Sequence, residues 1–150
     1  MIDAKALSIT TTRLLNAPQA LVWDAWTDPA KLMVWWGPNG FTNMMKKVDV
    51  RVGGRFDMTM HGPDGTDYRN ESHFTEVLPK ERIAYRHETA PKFLATATFE
   101  ARGKTTFLTL HVVFDTAQAF ESAVEVFGAV EGGEQTLARL AAFVEGRQAQ

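Results

Sequence analysis

The feature that most restricts the fold is a long stretch, from Phe41 to about Asp115, in which apolar residues recur at every second position. Turn-forming sequences, such as Gly-Pro-Asp-Gly at 62–65, interrupt this stretch at nearly regular intervals. Such alternation is typical of antiparallel strands that bury one face. We therefore expect six consecutive strands here, at about 47–52, 56–61, 68–78, 82–88, 92–102 and 105–115.

The segment before this stretch predicts one strand and two short helices. Residues 8–15 are rich in β-branched side chains and precede an Asn-Ala-Pro turn signal. Apolar residues then recur at four-residue spacing through 18–27, which is typical of a helix. Asp28 can cap a second helix whose first residue is Pro29.

The end of the chain returns to helical spacing. Its apolar residues predict a short helix at 117–126 and a main helix at 131–145, with a break near the glycines between them. At 150 residues the chain is long enough for one domain, which we assign to 1–150. The expected fold class is α+β, with a curved antiparallel sheet of about seven strands wrapped on the long C-terminal helix. Because one helix cannot fill the concavity of such a sheet, we expect a cavity between them.

Composition excludes several classes of function. The 16 basic and 18 acidic residues give a net charge of -2, which does not favour nucleic acid as a partner. The absence of cysteine excludes disulfides, thiolate nucleophiles and cysteine metal sites. There is no signal-peptide pattern and no apolar stretch long enough to span a membrane, so we expect a cytoplasmic protein with no membrane partner.

The four histidines do not predict a metal site. They fall on four different expected strands, without the local spacing that metalloprotease helices use. No glycine-rich segment has the spacing of a phosphate-binding loop. We therefore predict neither a metal nor a cofactor.

Short motifs along nearly the whole chain, from about residue 9 to 145, resemble those of bacterial SRPBCC proteins, in the START and birch-pollen-allergen superfamily. Within it the chain is most similar to the branch named for activators of the ninety-kilodalton heat-shock-chaperone ATPase. In chain order the motifs are VWDAWTDP at 22–29, WWGP at 35–38, RVGGRF at 51–56, GPDG at 62–65, FTEVLP at 74–79, ERI at 81–83 and GEQTLARL at 133–140.

The resemblance implies a helix-grip fold with a hydrophobic pocket between the sheet and the terminal helix. Members of this superfamily bind lipids, sterols or polyketides, act as cyclases or hydrolases, or assist a chaperone. In one position the chain differs from the family, which often has a large aromatic residue after the first glycine of the last helix motif. Here Gly133 follows Gly132, and the missing ring would either enlarge the cavity or loosen the start of the helix.

The leading functional hypothesis is the binding of a small hydrophobic or aromatic molecule in this cavity. Flexible thioethers suit a pocket that accepts varied apolar shapes, and a few polar groups would orient the ligand. The candidate ligand-binding residues are Trp36, Phe56, Met58, Met60, His73, Tyr85, Phe127, Thr136, Leu137 and Leu140.

Two alternatives stay open. The first is an acid–base enzyme, a cyclase or hydrolase, that uses a pocket histidine or carboxylate such as His73 or Glu71. The sequence identifies no catalytic residue for it. The second is a chaperone-regulating module that acts through its surface. A homodimer formed through sheet edges is compatible with the architecture.

Overall fold

The computed structural model describes the backbone of residues 1–148 and the side chains of residues 1–146. The strands are β1 (Ile2–Asp3), β2 (Ser8–Leu15), β3 (Thr42–Val48), β4 (Arg55–His61), β5 (Asp67–Leu78), β6 (Arg82–His87), β7 (Phe93–Arg102) and β8 (Thr105–Phe114). The helices are α1 (Gln19–Thr27), α2 (Pro29–Trp35), α3 (Ala117–Glu125) and α4 (Ala129–Gln148).

The strands form one antiparallel sheet in the order β1-β2-β8-β7-β6-β5-β4-β3. This confirms the predicted α+β helix-grip fold, in which a long C-terminal helix packs on an antiparallel sheet. The described part of the chain has eight strands rather than about seven, because the two-residue strand β1 pairs with the start of β2. So short a strand carries no periodic signal of its own.

Strand β3 lies earlier than the alternating valines at 48–52 indicate. The chain turns tightly after Val48, where the Arg51 amide donates to the Asp49 carbonyl at 2.9 Å and the Gly54 amide donates to the Arg51 carbonyl at 2.8 Å. A Cβ atom on Gly54 would lie 2.0 Å from the Asp49 carbonyl oxygen, so the turn requires glycine at this position. The alternation therefore continues past the end of the hydrogen-bonded strand.

Helix α4 begins at Ala129, two residues before the predicted start. Gly128, with φ of +59°, separates it from α3 and provides the left-handed conformation that the corner needs. Gly132 and Gly133 thus lie inside the helix rather than before it. The sequence indicated a break near these glycines, but one positive-φ residue is enough to separate the two helices.

The inner face of the sheet, which packs against the helices, carries two groups of buried apolar residues. The main core includes Leu137, Leu140 and Val144 from α4, together with the tryptophans of α1 and α2. The second, smaller cluster consists of Ile9, Phe114, Phe120 and Ala123 and lies beneath α3. The space between these two clusters is where the cavity lies.

The two glycines inside α4 provide a test of how closely its first turns approach the rest of the fold. A Cβ atom on Gly132 would lie 3.4 Å from Pro38 Cγ, an ordinary contact, whereas one on Gly133 would lie 3.0 Å from Thr11 Oγ1. Gly132→Ala should therefore raise the free energy of unfolding by about 0.5–1 kcal/mol, through helix propensity. Gly133→Ala should raise the free energy of unfolding by less, because the new methyl group crowds Thr11. Urea unfolding of the two variants compares these gains, and an equal gain would contradict the close approach.

Candidate functional site

A cavity of about 590 Å³ lies between the inner face of the sheet and the helices α3 and α4. This volume falls within the range of small-molecule sites. Its lining is mainly apolar and comes from six strands, from both helices with the α3–α4 corner, and from the two loops that precede β3 and β7. The lining residues are Ile9, Thr11, Pro38, Phe41, Met60, Asp67, Tyr68, Arg69, Asn70, His87, Ala90, Pro91, Phe93, Leu110, Val112, Phe114, Ala123, Val126, Phe127, Ala129 and Gly133.

The size of the α4 side chains explains where the cavity lies along the helix. The first turns of α4 present Ala129 and Gly133 to the sheet, and these residues leave space. Farther along, Leu137, Leu140 and Val144 are almost completely buried and fill the same layer. The helix therefore closes the core at its C-terminal half and leaves the cavity at its N-terminal end.

The mouth of the cavity lies where the α3–α4 corner approaches the start of β5. Val126 and Phe127 line it while remaining 73% and 53% exposed, which is unusual for apolar side chains of this size. Asp67 and Arg69 of β5 also border the cavity, but they alternate with Tyr68 and Asn70, so their exposed side chains point to the outer face of the sheet. The border of the cavity that side chains form at this end is therefore apolar and comes from the α3–α4 corner.

His87 is the buried titratable residue of the cavity wall. Its ring stacks on Phe93, with centroids 4.4 Å apart and planes at 9°. Its Nδ1 lies 2.8 Å from the Pro91 carbonyl oxygen, which can only accept, so Nδ1 carries the proton. Nε2 faces Asn70 Oδ1 at 2.7 Å and the Thr89 hydroxyl at 3.2 Å. The imidazole is thus held at both nitrogens, with one edge toward the cavity.

Burial lowers the pKa of His87, and it outweighs the hydrogen bonds to Pro91 and Thr89 and the nearby charge of Glu88, which raise this pKa. In the neutral ring Nε2 can accept from the Thr89 hydroxyl. In the protonated ring Nε2 can donate to Asn70 Oδ1 instead. Burial favours the neutral ring, in which Nε2 has the Thr89 hydroxyl as its partner, and the 2.7 Å contact with Asn70 Oδ1 becomes a hydrogen bond only when Nε2 is protonated.

Arg139 of α4 holds the loop that forms one side of the cavity. Its Nη1 donates to the carbonyls of residues 36, 37 and 38 at 3.2, 2.8 and 2.8 Å, and its Nη2 donates to those of residues 34 and 41 at 3.2 and 3.1 Å. Gln135, one turn earlier, accepts from the Asn39 amide at 3.1 Å. Burial lowers the pKa of Arg139. The guanidinium thus positions Pro38 and Phe41, which line the cavity.

Two of the ten residues proposed from the sequence, Met60 and Phe127, line the cavity. Six others lie in or against the main core and do not line it: Trp36, Phe56, Met58, Tyr85, Leu137 and Leu140. Trp36, for example, packs edge-on against Trp26 and Phe56, with ring centroids 5.3 and 5.4 Å apart. Strand alternation assigned Phe56, Met58 and Met60 to one face, but Met60 alone among them reaches the open end.

The remaining two candidates have other partners. His73 lies on the outer face of the sheet, where its Nδ1 is 3.2 Å from Glu88 Oε2. Its neighbours Ser72 and Phe74 face inward, which places His73 on the opposite side. The Thr136 hydroxyl donates to the Gly132 carbonyl at 2.7 Å, a bond within α4. Neither side chain lines the cavity.

Sequence reasoning did not select Thr11, Tyr68, Asn70, His87 or Arg139 for the site. Tyr68 and Asn70 alternate with the exposed Asp67 and Arg69 on the strand that was predicted to begin at residue 68. Strand alternation could therefore have placed Tyr68 and Asn70 on the same inward face. Arg139 belongs to the last quoted motif, yet its acceptors are carbonyls about a hundred residues away in sequence. Such contacts leave no local signal.

Other kinds of site find no support in the described residues. Residues 1–148 contain no group of three or more His, Asp or Glu side chains placed to bind a metal ion. Within the same range, no helix has both the length and the apolar character required to cross a membrane.

Residues 16–145 match the family described as Activator of Hsp90 ATPase homolog 1-like protein. The chain belongs to this family. The match covers most of the chain, including the cavity wall from β4 to α4. A comparison with curated proteins finds no match.

Solved structures show the same fold as this Activator of Hsp90 ATPase homolog 1-like chain. A crystal structure from Nitrosomonas europaea is 26% identical with a TM-score of 0.88, and the alignment covers 99% of this chain and 100% of that one. One from Chromobacterium violaceum is 28% identical with a TM-score of 0.81, over 92% and 97% of the two chains. A solution structure from Arthrobacter aurescens is 24% identical with a TM-score of 0.90, over 97% and 90%.

The Arg139 contacts predict a large loss of stability on substitution. Arg139→Met keeps much of the apolar stem but leaves several loop carbonyls without their donor, so we expect the free energy of unfolding to fall by about 2–4 kcal/mol. Arg139→Lys should recover little, because one ammonium group cannot reach five carbonyls. Urea denaturation measures both losses. Full stability of the lysine variant would show that charge rather than fork geometry holds the loop.

The burial of His87 predicts a stability change at mildly acidic pH. An unfolded chain takes up a proton at this residue near pH 6.5, whereas the folded chain does so only at lower pH. The free energy of unfolding should therefore decrease as pH falls below about 6.5. The pKa of Asp64 is lowered by the Thr66 amide and that of Glu76 by Arg82. These two carboxylates therefore change the free energy of unfolding only at pH values below the usual carboxyl pKa.

Chemical denaturation between pH 7.5 and 5.5 measures this dependence. His87→Gln should reduce the slope between these values. A slope unchanged by His87→Gln would assign the effect to other groups.

Proposed function

We propose that the protein binds a small hydrophobic or aromatic molecule in the cavity at the N-terminal end of α4. The observation that carries the proposal is the partly open cavity of about 590 Å³, which has a mainly apolar wall and the half-exposed Phe127 at its border. Burial of apolar ligand surface would supply the affinity, at about 25 cal/mol per Å². Met60 and Phe127 are proposed contacts that sequence reasoning and the cavity lining share.

The polar groups of the wall support a binding role with defined orientation. Thr11, Tyr68 and Asn70 place a few polar groups on a mainly apolar wall, the pattern of small-molecule sites. Hydrogen bonds at both nitrogens hold the His87 imidazole in place. A preorganised wall costs less ordering entropy when a ligand binds.

A fluorescent apolar probe, N-phenyl-1-naphthylamine, tests the proposal. The wild-type protein should bind it with increased fluorescence, and Leu110→Trp should fill the cavity and weaken binding by about tenfold or more, equivalent to about 1.4 kcal/mol. Thr109→Trp is the matched control, since it places the same ring on the other face of β8. Circular dichroism verifies that both variants fold.

Two results would contradict this placement. The wild-type protein could fail to bind the probe at all. Alternatively, the Leu110 and Thr109 variants could bind it equally well, which would locate the probe elsewhere on the surface.

Regulation of a chaperone ATPase is a second candidate, and membership of the Activator of Hsp90 ATPase homolog 1-like family favours it. It would act through surface contacts rather than through the cavity. Steady-state ATP hydrolysis by the ninety-kilodalton chaperone of the same organism, measured with and without the protein, separates the two. A rate change that persists in Leu110→Trp would support the surface role.

Acid–base catalysis in the cavity has less support. His73 lies on the outer face, and both ring nitrogens of His87 already have protein partners. A catalytic histidine needs one nitrogen within reach of the substrate proton. We therefore rank an enzyme below a binding protein.

We further propose that the protein acts in the cytoplasm. A homodimer through sheet edges is less favoured, since the edge strand β3 contains a bulge between Met45 and Lys47 and carries two exposed lysines, Lys46 and Lys47. Irregular, charged edges oppose pairing with another chain. Native mass spectrometry of gently purified protein would reveal both subunit number and any retained ligand.

A further inference from the structure

Two hydroxyl groups of the cavity wall have no hydrogen-bond partner among the described residues. They belong to Thr11 on β2 and Tyr68 on β5. Other polar side chains of the wall differ: Asn70 donates to the Tyr68 carbonyl at 3.1 Å, and His87 is held at both nitrogens. The two hydroxyls therefore keep their full hydrogen-bonding capacity for a ligand.

The surroundings of both hydroxyls keep them accessible. Gly133 of α4 faces Thr11, where a Cβ atom would lie 3.0 Å from Oγ1, so the absence of a side chain leaves this hydroxyl uncovered. The Tyr68 ring packs against Phe41, with centroids 5.9 Å apart, which fixes the ring through its apolar surface. The strands β2 and β5 are four strand spacings apart, about 19 Å along the sheet. The hydroxyls thus lie at opposite sides of the cavity.

The charged groups around the cavity do not provide a site for an anion. Asp67 pairs with His61 at 2.6 Å and Arg69 lies 3.7 Å from Glu71, and these side chains point to the outer face of the sheet. The N-terminal end of α4 has Glu131 in its own first turn. Among the described residues, Arg69 is the only lysine or arginine in the lining. A buried carboxylate would lack a cationic partner and would be costly to desolvate.

From these positions we infer that the ligand is uncharged and carries hydroxyl or carbonyl groups that hydrogen-bond to Thr11 and Tyr68. The inference rests on the proposed function and specifies its ligand class. An elongated apolar molecule with a polar group near each end meets both hydroxyls. A fatty-acid-like anion does not match this wall.

Three ligands with one ring system test the inference: naphthalene, 2-naphthol and 2-naphthoate. Each competes with N-phenyl-1-naphthylamine at pH 7.5, where 2-naphthol is neutral and 2-naphthoate is ionised. We expect 2-naphthol to displace the probe at about 3- to 10-fold lower concentration than naphthalene, the effect of one neutral hydrogen bond. 2-Naphthoate should be the weakest competitor.

Isosteric variants identify the groups responsible. Thr11→Val and Tyr68→Phe remove one hydroxyl each. In the double variant, 2-naphthol and naphthalene should displace the probe equally well. The concentration of naphthalene that displaces the probe should be the same in the double variant and in the wild-type protein. Thr12→Val, on the next residue of β2, and Tyr85→Phe, in the main core, are matched controls that should retain the preference.

The outcomes separate this inference from the proposed function. Absence of probe binding in the wild-type protein would overturn both. Probe binding with 2-naphthoate as the best competitor, or a 2-naphthol preference that survives in the double variant, would overturn the ligand class alone. A preference lost in the double variant and kept in both controls would support it.

Discussion

The packing of one helix on an eight-stranded sheet is the constraint on which the other features depend. Helix α4 cannot cover the whole inner face, so the size of its side chains decides where the space is filled. Leucine and valine close the C-terminal half, with Leu140 and Val144 fully buried. Alanine and glycine at the N-terminal end leave a cavity that separates the main core from the small cluster beneath α3.

Strand alternation also separates the charges from this cavity. On the outer face Arg55 bonds Asp57 and Glu88 at 2.8 and 2.9 Å, and the hydrogen bond to Asp57 raises the pKa of Arg55. These charges are solvated and paired, as in ordinary surface networks. The inner wall carries instead hydroxyls, an amide and a mainly neutral imidazole. The same fold thus presents an ionic surface and an apolar interior, which suits a receptor for uncharged molecules.

Much of the fold could be predicted because its signals are local. The strand at 8–15 and the start of the second helix at Pro29 agree with the structure, since β-branched runs, caps and turn residues act on their own segment. The Asp28 carboxylate accepts from the Ala30 amide at 3.0 Å, as its position before Pro29 indicates. The site was less accessible: Met60 lines the cavity, but Met58, two residues earlier on the same face, is buried in the core.

The sequence by itself determined the order of the elements, the inward face of most strands and the need for a cavity beneath one long helix. The tertiary structure alone decided that the cavity lies beside Gly133 rather than beside Leu137, that Arg139 holds the 36–41 loop, and that His87 faces Asn70 and Pro91. Periodicity reports which face a residue occupies, because that depends on backbone geometry within its own strand. It does not report which part of another element lies opposite, because that depends on how distant segments pack.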